Sequence, residues 1–245
     1  MRAPKPRTHA TVSPARTSNS IVRYLLSGLL AFTAVAASAA DLNTLFGKMD
    51  AASAGYRTMR ADVAWTSYTA LVDDTSVESG KIVVRKEGDA IELKIDFTAP
   101  YPRQIRIDGT KFESYKPRIQ TIEEYDLAKH KDKLEQALLI GFGVSGKTIA
   151  KNYDAKILGD EDLDGVSTVH LELIPKSAEM RESVPKLEMW ISTATWQPVQ
   201  QKLHSASGGD YRLYSYSNAE INPSLKASDF KLQISGKAKR IKPGS

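Results

Sequence analysis

The chain has 245 residues, enough for one domain with a substantial core, and it contains no cysteine. Disulfides, thiolate catalysis and cysteine-ligated metals are therefore excluded. The net charge of +5 sits in the first 39 residues, which carry five Lys/Arg and no Asp/Glu; the remainder balances 29 basic against 29 acidic residues, so composition does not support a nucleic-acid partner.

At the start, Arg2, Lys5, Arg7, Arg16 and Arg23 precede an apolar run, Tyr24 to Ala37, and then Ser38, Ala39 and Ala40. A basic start, a short apolar stretch and small residues at an Ala-x-Ala site predict a secretory signal peptide over 1–39, cleaved after Ala39 or Ala40. The run is shorter than the roughly 20 residues that a membrane span needs. No cysteine is available for lipidation, so the exported protein is expected to be free and soluble, in the periplasm of a Gram-negative-type envelope.

Asp41 to Ala54 reads as an amphipathic helix, with Leu42, Leu45, Phe46 and Met49 on one face. A first strand is expected over Met59 to Leu71 and a turn over Val72 to Val77. The stretch from Gly80 to Tyr125 organises the rest. Ile91, Leu93, Ile95 and Phe97 alternate strictly with Glu92, Lys94 and Asp96, the period of a strand with one apolar and one wet face. Asp108 and Gly109 signal a hairpin, because that turn favours positive φ. Helical spacing returns over about 131–139, followed by glycines at 141–146 and a second short helix over 147–151. Strands resume at Lys156 to Leu158, a hairpin at Asp164 and Gly165, and Val166 to Ile174. After a polar helical turn near 177–182 come strands at Leu187 to Ile191, Pro198 to His204 and Tyr211 to Tyr216. The fold class is α+β: one curled antiparallel sheet of about ten or eleven strands with a few short helices on one side. Residues 236–245 read as a basic disordered tail.

Gly141 to Thr148 matches the phosphate-binding pattern G-x-x-x-x-G-K-[ST] literally. A charged helical segment precedes it, where a nucleotide-binding loop follows a buried strand, so the glycines read as a helix-to-helix connection. His9, His130, His170 and His204 lack partners at ligand spacing and read as solvated. No nucleophile elbow or H-E-x-x-H motif is present. The expectation is a protein that is not an enzyme and takes no metal or other cofactor.

The order of features resembles the periplasmic outer-membrane lipoprotein carrier family of the LolA type, over about 41–232. The matching positions are the strand from Gly80 through Ile82 and Val84 to Arg85 and Lys86; Pro100; Asp108 and Gly109; and Tyr115. Leu138, Leu139, Ile140 and Gly141 are similar to the family's helical insertion. Leu187, Met189 and Ile191, then Pro198, the run from Tyr214 to Asn222 and Phe230 are similar to its last strands.

The resemblance implies a half-barrel over 40–235, with helices as a lid on an apolar cavity. By strand parity, Ile82, Val84, Leu93, Ile95 and Phe97 should face that cavity as lipid-binding residues, with Leu138, Leu139 and Ile140 supplying the lid. The implied activity is shielding the acyl chains of lipoproteins or another lipid, taken from an inner-membrane exporter to an outer-membrane receptor by a monomer. The alternative is a sensor on the same half-barrel that signals to a membrane partner. The family has Arg then Pro at the end of the first long strand, and that Arg holds the lid. Here Lys86 and Glu87 stand there, so Lys86, or Arg85 after a one-residue bulge, is the candidate latch.

Overall fold

The computed structural model describes residues 34–88, 90–127 and 143–243, with side chains from 41 onward. The predicted lid residues Leu138, Leu139 and Ile140 lie outside the described residues. Helix α1 (Ala34–Gly55) leads into β1 (Thr58–Thr69), β2 (Asp74–Glu87), β3 (Ala90–Ala99), β4 (Arg103–Asp108), β5 (Lys111–Lys116) and β6 (Thr121–Asp126). Then follow α2 (Gly146–Asn152), β7 (Tyr153–Leu163), β8 (Val166–Pro175), α3 (Ala178–Ser183), β9 (Lys186–Ser192), β10 (Pro198–His204), β11 (Tyr211–Ile221) and β12 (Lys239–Ile241).

All twelve strands form one sheet in the order β12-β6-β5-β4-β3-β2-β1-β11-β10-β9-β8-β7. Each neighbouring pair is antiparallel except β12 with β6. The sheet is thus two meanders, β1–β6 and β7–β11, joined where β1 pairs with β11. The Asp108–Gly109 hairpin forms as expected, with Gly109 at φ +57°.

The register puts alternate residues of every strand on one face. Met59, Ala61 and Val63 of β1 lie beside Val84 and Ile82 of β2, which lie beside Leu93 and Ile95 of β3 and Ile107 and Ile105 of β4. On the far side, Leu187, Met189 and Ile191 of β9 continue that face into Leu173, Leu171 and Val169 of β8. Helix α1 lays Leu45, Phe46 and Met49 on this second region, with Val144, Ile149 and Tyr153 completing a buried cluster. Its approach to α2 is close: a Cβ on Gly146 would stand 2.4 Å from the Phe46 Cα.

The opposite face is polar and laddered by charge. Glu92 is shared by Arg85 and Arg106 (2.9 Å to Arg106), and Arg106 reaches on to Glu113 at 3.1 Å. From Asn222 the chain crosses this face. Phe230 is fully buried beneath the Arg85 guanidinium, 4.7 Å from its ring centre. Gln233 N–H donates to the Gln104 side chain at 2.7 Å, and Ser235 N–H to the Tyr115 hydroxyl at 3.3 Å. Beneath this strap Lys94, expected on the wet face, is 2 % exposed and paired to Asp96.

Three sequence expectations are corrected. Residues 239–241 of the expected disordered tail form β12, anchored by Arg240 on Glu113 (2.7 Å) and on Glu124. The expected turn over 72–77 shrinks to a 3-10 turn at Ala70–Val72, because Asp74 to Ser79 pair with the length of β1 despite lacking an apolar pattern. Strand β7 likewise runs past Leu158 to Leu163 through an acidic stretch held by β8.

Candidate functional site

The five predicted cavity residues come together. Ile82, Val84, Leu93 and Phe97 are buried and Ile95 half-buried, in one cluster with Tyr56, Met59, Ala61, Val63, Ile105 and Ile107. The parity of Leu93, Ile95 and Phe97 follows from the alternation itself, since over 91–97 β3 carries its apolar residues only at odd positions, and the register sets Ile82 and Val84 of β2 beside them. Among the described residues no helix contributes to this cluster; Tyr56, just past α1, is the part of that connection that reaches it. Among the described residues, this part of the apolar face is made by strands and Tyr56.

The two latch candidates part company. Arg85 lies on the polar face, opposite to its neighbour Val84, and there it meets Glu92, Glu87 at 3.5 Å and the Phe230 ring. Lys86, one residue on, returns to the apolar side opposite Ile91, and its backbone N–H donates to the Arg57 carbonyl at 2.8 Å.

Several site residues were not singled out by sequence reasoning. Trp65 continues the β1 row past Val63 and packs against Phe97 (5.9 Å between ring centres) and Tyr214 (5.1 Å). Arg103, opposite Phe97 in the register, stands over the Phe97 ring at 4.4 Å and is clamped by Glu78 in a bidentate pair of 3.0 and 2.6 Å. The fork fixes the guanidinium, and its aromatic neighbour suits a cation at an apolar edge. Tyr214 and Tyr216 alternate along β11 at the seam between the two regions. The signal was available: both tyrosines keep period two with Arg212, as Trp65 does with Val63.

The site is electrostatically dry. Burial raises the hydroxyl pKa values of Tyr56 and Tyr216 well above the usual phenol range, and raises Tyr214 less because Arg212 pulls it back. The Tyr56 hydroxyl and the Trp65 indole N–H are buried with no hydrogen-bond partner among the described residues. An unmatched buried donor of this kind costs about 1–3 kcal/mol, which a bound acceptor would recover. The arrangement offers apolar area, two spare donors and a clamped cation, features suited to holding a ligand.

The remaining motifs lie elsewhere. At the phosphate-loop match, α2 is seven residues long; its first turn is capped by the Ser145 hydroxyl (3.1 Å from Thr148 N) and by the Asp50 carboxylate (3.0 Å from Lys147 N). A native carboxylate thus occupies the helix start where an anion would sit. His170 and His204, expected to be solvated, instead both bond to Glu188 on the polar face, at 3.0 and 2.5 Å. Burial would raise Glu188, but His204 and Lys186 outweigh it and hold the carboxyl below its usual range. Among the described residues no group of three His, Asp or Glu is placed to hold a metal ion, and no helix is long and apolar enough to cross a membrane.

A family model described only as "-like: Uncharacterized protein" matches residues 144–227. A search of curated proteins finds no match. Among solved structures, MucB is similar at 14 % identity and a TM-score of 0.52; the alignment covers 82 % of this chain and 66 % of MucB, just under two thirds of its length. An uncharacterized conserved protein from Thermus thermophilus matches at 9 % identity and a TM-score of 0.52, over 82 % of this chain and 99 % of the other. A LolA superfamily protein from Nitrosomonas europaea matches at 13 % identity and a TM-score of 0.38, over 78 % and 97 %. At these identities the similarity to MucB and to the Thermus thermophilus protein shows the fold alone, a curled, mostly antiparallel sheet with helices.

Proposed function

We propose that this LolA-like chain is a non-enzymatic periplasmic carrier. It shields the acyl chains of lipoproteins or another lipid against the apolar face of β1–β4 and moves them from an inner-membrane exporter towards an outer-membrane receptor. The observation that supports this most is the cluster around Ile82, Val84, Leu93, Ile95 and Phe97, an apolar face with two unmatched donors at its border and no helix of the described residues packed on it. Each methylene withdrawn from water there gains about 0.8 kcal/mol, so a chain of modest length is held without any catalytic group.

The test is native mass spectrometry on the protein purified gently from an envelope fraction. Co-purifying lipid or lipoprotein mass is expected, and it should be lost in Phe97→Asp while the fold persists by circular dichroism. A protein that stays free of lipid when offered solubilised lipoproteins would sink the proposal.

A further inference from the structure

Where β1 ends and β11 begins, a pocket of about 400 Å³ opens beside the end of α3. Its apolar wall is Leu203 and Val184, both packed on the helix-covered core. Its polar wall includes Ser67, Ser183 and Arg212. The pairing of Ser67 with Arg212, and of Arg212 with Leu203, puts this row on the apolar side of the sheet, one step beyond Trp65 and Tyr214.

Arg212 is exposed; its guanidinium meets the Tyr214 hydroxyl and has no ion pair with any described residue. The Ser67 and Ser183 hydroxyls are not hydrogen-bonded among the described residues. The acids nearby are already engaged. Asp210 accepts from Ala70 N–H at 2.8 Å and from the Ser207 hydroxyl at 3.2 Å, and Glu188 is bonded to the His204 ring that borders the pocket. A guanidinium with no carboxylate partner, beside two free hydroxyls, is a donor set for phosphate oxygens. The volume falls in the range of small-ligand sites. Two residues back along β1, about 7 Å at strand rise, the Trp65 N–H is buried and unmatched.

We propose that this pocket is an anion subsite, built for the phosphate headgroup of an amphiphile whose chain lies along the apolar face. Arg212 holds the phosphate, Ser67 and Ser183 donate to its oxygens, and the Trp65 N–H donates to the carbonyl that links headgroup to chain. This rests on the carrier reading above, and it gives the cargo a direction: head at the β1–β11 end, tail towards β2–β4.

The test titrates the exported protein with dodecyl phosphate, with uncharged dodecyl maltoside and with inorganic phosphate, all below micelle formation. Binding is followed by calorimetry and by tryptophan fluorescence. Dodecyl phosphate should bind about tenfold more tightly than the maltoside. Arg212→Gln should remove that preference without moving the melting temperature, and Arg212→Lys should restore part of it. Equal affinities in the unaltered protein overturn the subsite and leave the carrier reading standing. Phosphate alone binding as tightly as dodecyl phosphate, and lost in Arg212→Gln, overturns the headgroup assignment and makes the pocket a site for the free anion. Failure of both amphiphiles to bind, with Phe97→Asp indistinguishable from the unaltered protein, overturns the carrier reading itself.

Discussion

The two regions of the apolar face are built from the same alternating strands and differ in what lies on them. Over β7–β10, α1, α2 and α3 bring Leu45, Phe46, Met49, Ile149 and Met180 down onto Leu171, Leu173, Leu187 and Met189. Over β1–β4 the strands contribute the cluster themselves, with Tyr56 beside them. Among the described residues, helices pack on one half of the face, while the other, likewise buried, is made by strands and Tyr56 and is the half that the carrier proposal assigns to the guest.

Substitutions can break or sharpen that contrast. The largest effect is expected for Leu187→Ala, fully buried under the helices, with a loss of about 2–5 kcal/mol in denaturant unfolding. Gly146→Leu follows, at roughly 1–3 kcal/mol, since its side chain must displace the Phe46 backbone and lift α2 off α1. Ile95→Ala, half-buried in the strand-only region, should lose about 1 kcal/mol and weaken amphiphile binding severalfold. If Ile95→Ala costs as much as Leu187→Ala, the two regions are equally closed and the contrast fails.

A smaller effect belongs to the polar face and is read by pH. Burial raises the Glu113 carboxyl, but Arg240, Lys111 and Arg106 outweigh it and bring its pKa to about 2. A depressed carboxylate stabilises fully above its unfolded value and loses that contribution as pH falls through the folded one. Stability should therefore decline from about pH 4.5 towards pH 2, and Glu113→Gln should flatten that decline in thermal melts. Smallest of all, Lys147→Ala should change stability by no more than about 0.5 kcal/mol, with neither form binding ATP in calorimetry.

Much of this was legible from the residues. The strict alternation of 91–97 fixes which side chains share a face, so Ile82, Val84, Leu93, Ile95 and Phe97 could be grouped before any coordinates. Parity does not say what lies over a face. Lys94 reads as solvated, yet it is buried because a strap far later in the chain, running through Phe230 and Gln233, crosses it. Arg85 and Lys86 read as alternative latches for a lid that lies outside the described residues, and parity does not reveal that Arg85 meets Glu92, Glu87 and the Phe230 ring. Strand β12 escaped notice because three basic and apolar residues have no pattern of their own, and their pairing depends on Gln120 and Glu113. Long-range contacts of that kind leave no local trace.

The junction of β1 with β11 has a consequence for how the chain reaches its native state. Within each meander, strands pair with their neighbours in sequence, but Met59 pairs with Ile221 and Trp65 with Tyr214. Closing so long a loop costs entropy before any contact repays it, so this junction is expected to be the slow event of refolding, after both meanders have formed. Trp65, packed against Tyr214 at the join with the rings tilted by 39°, would report that last step as a late change in fluorescence.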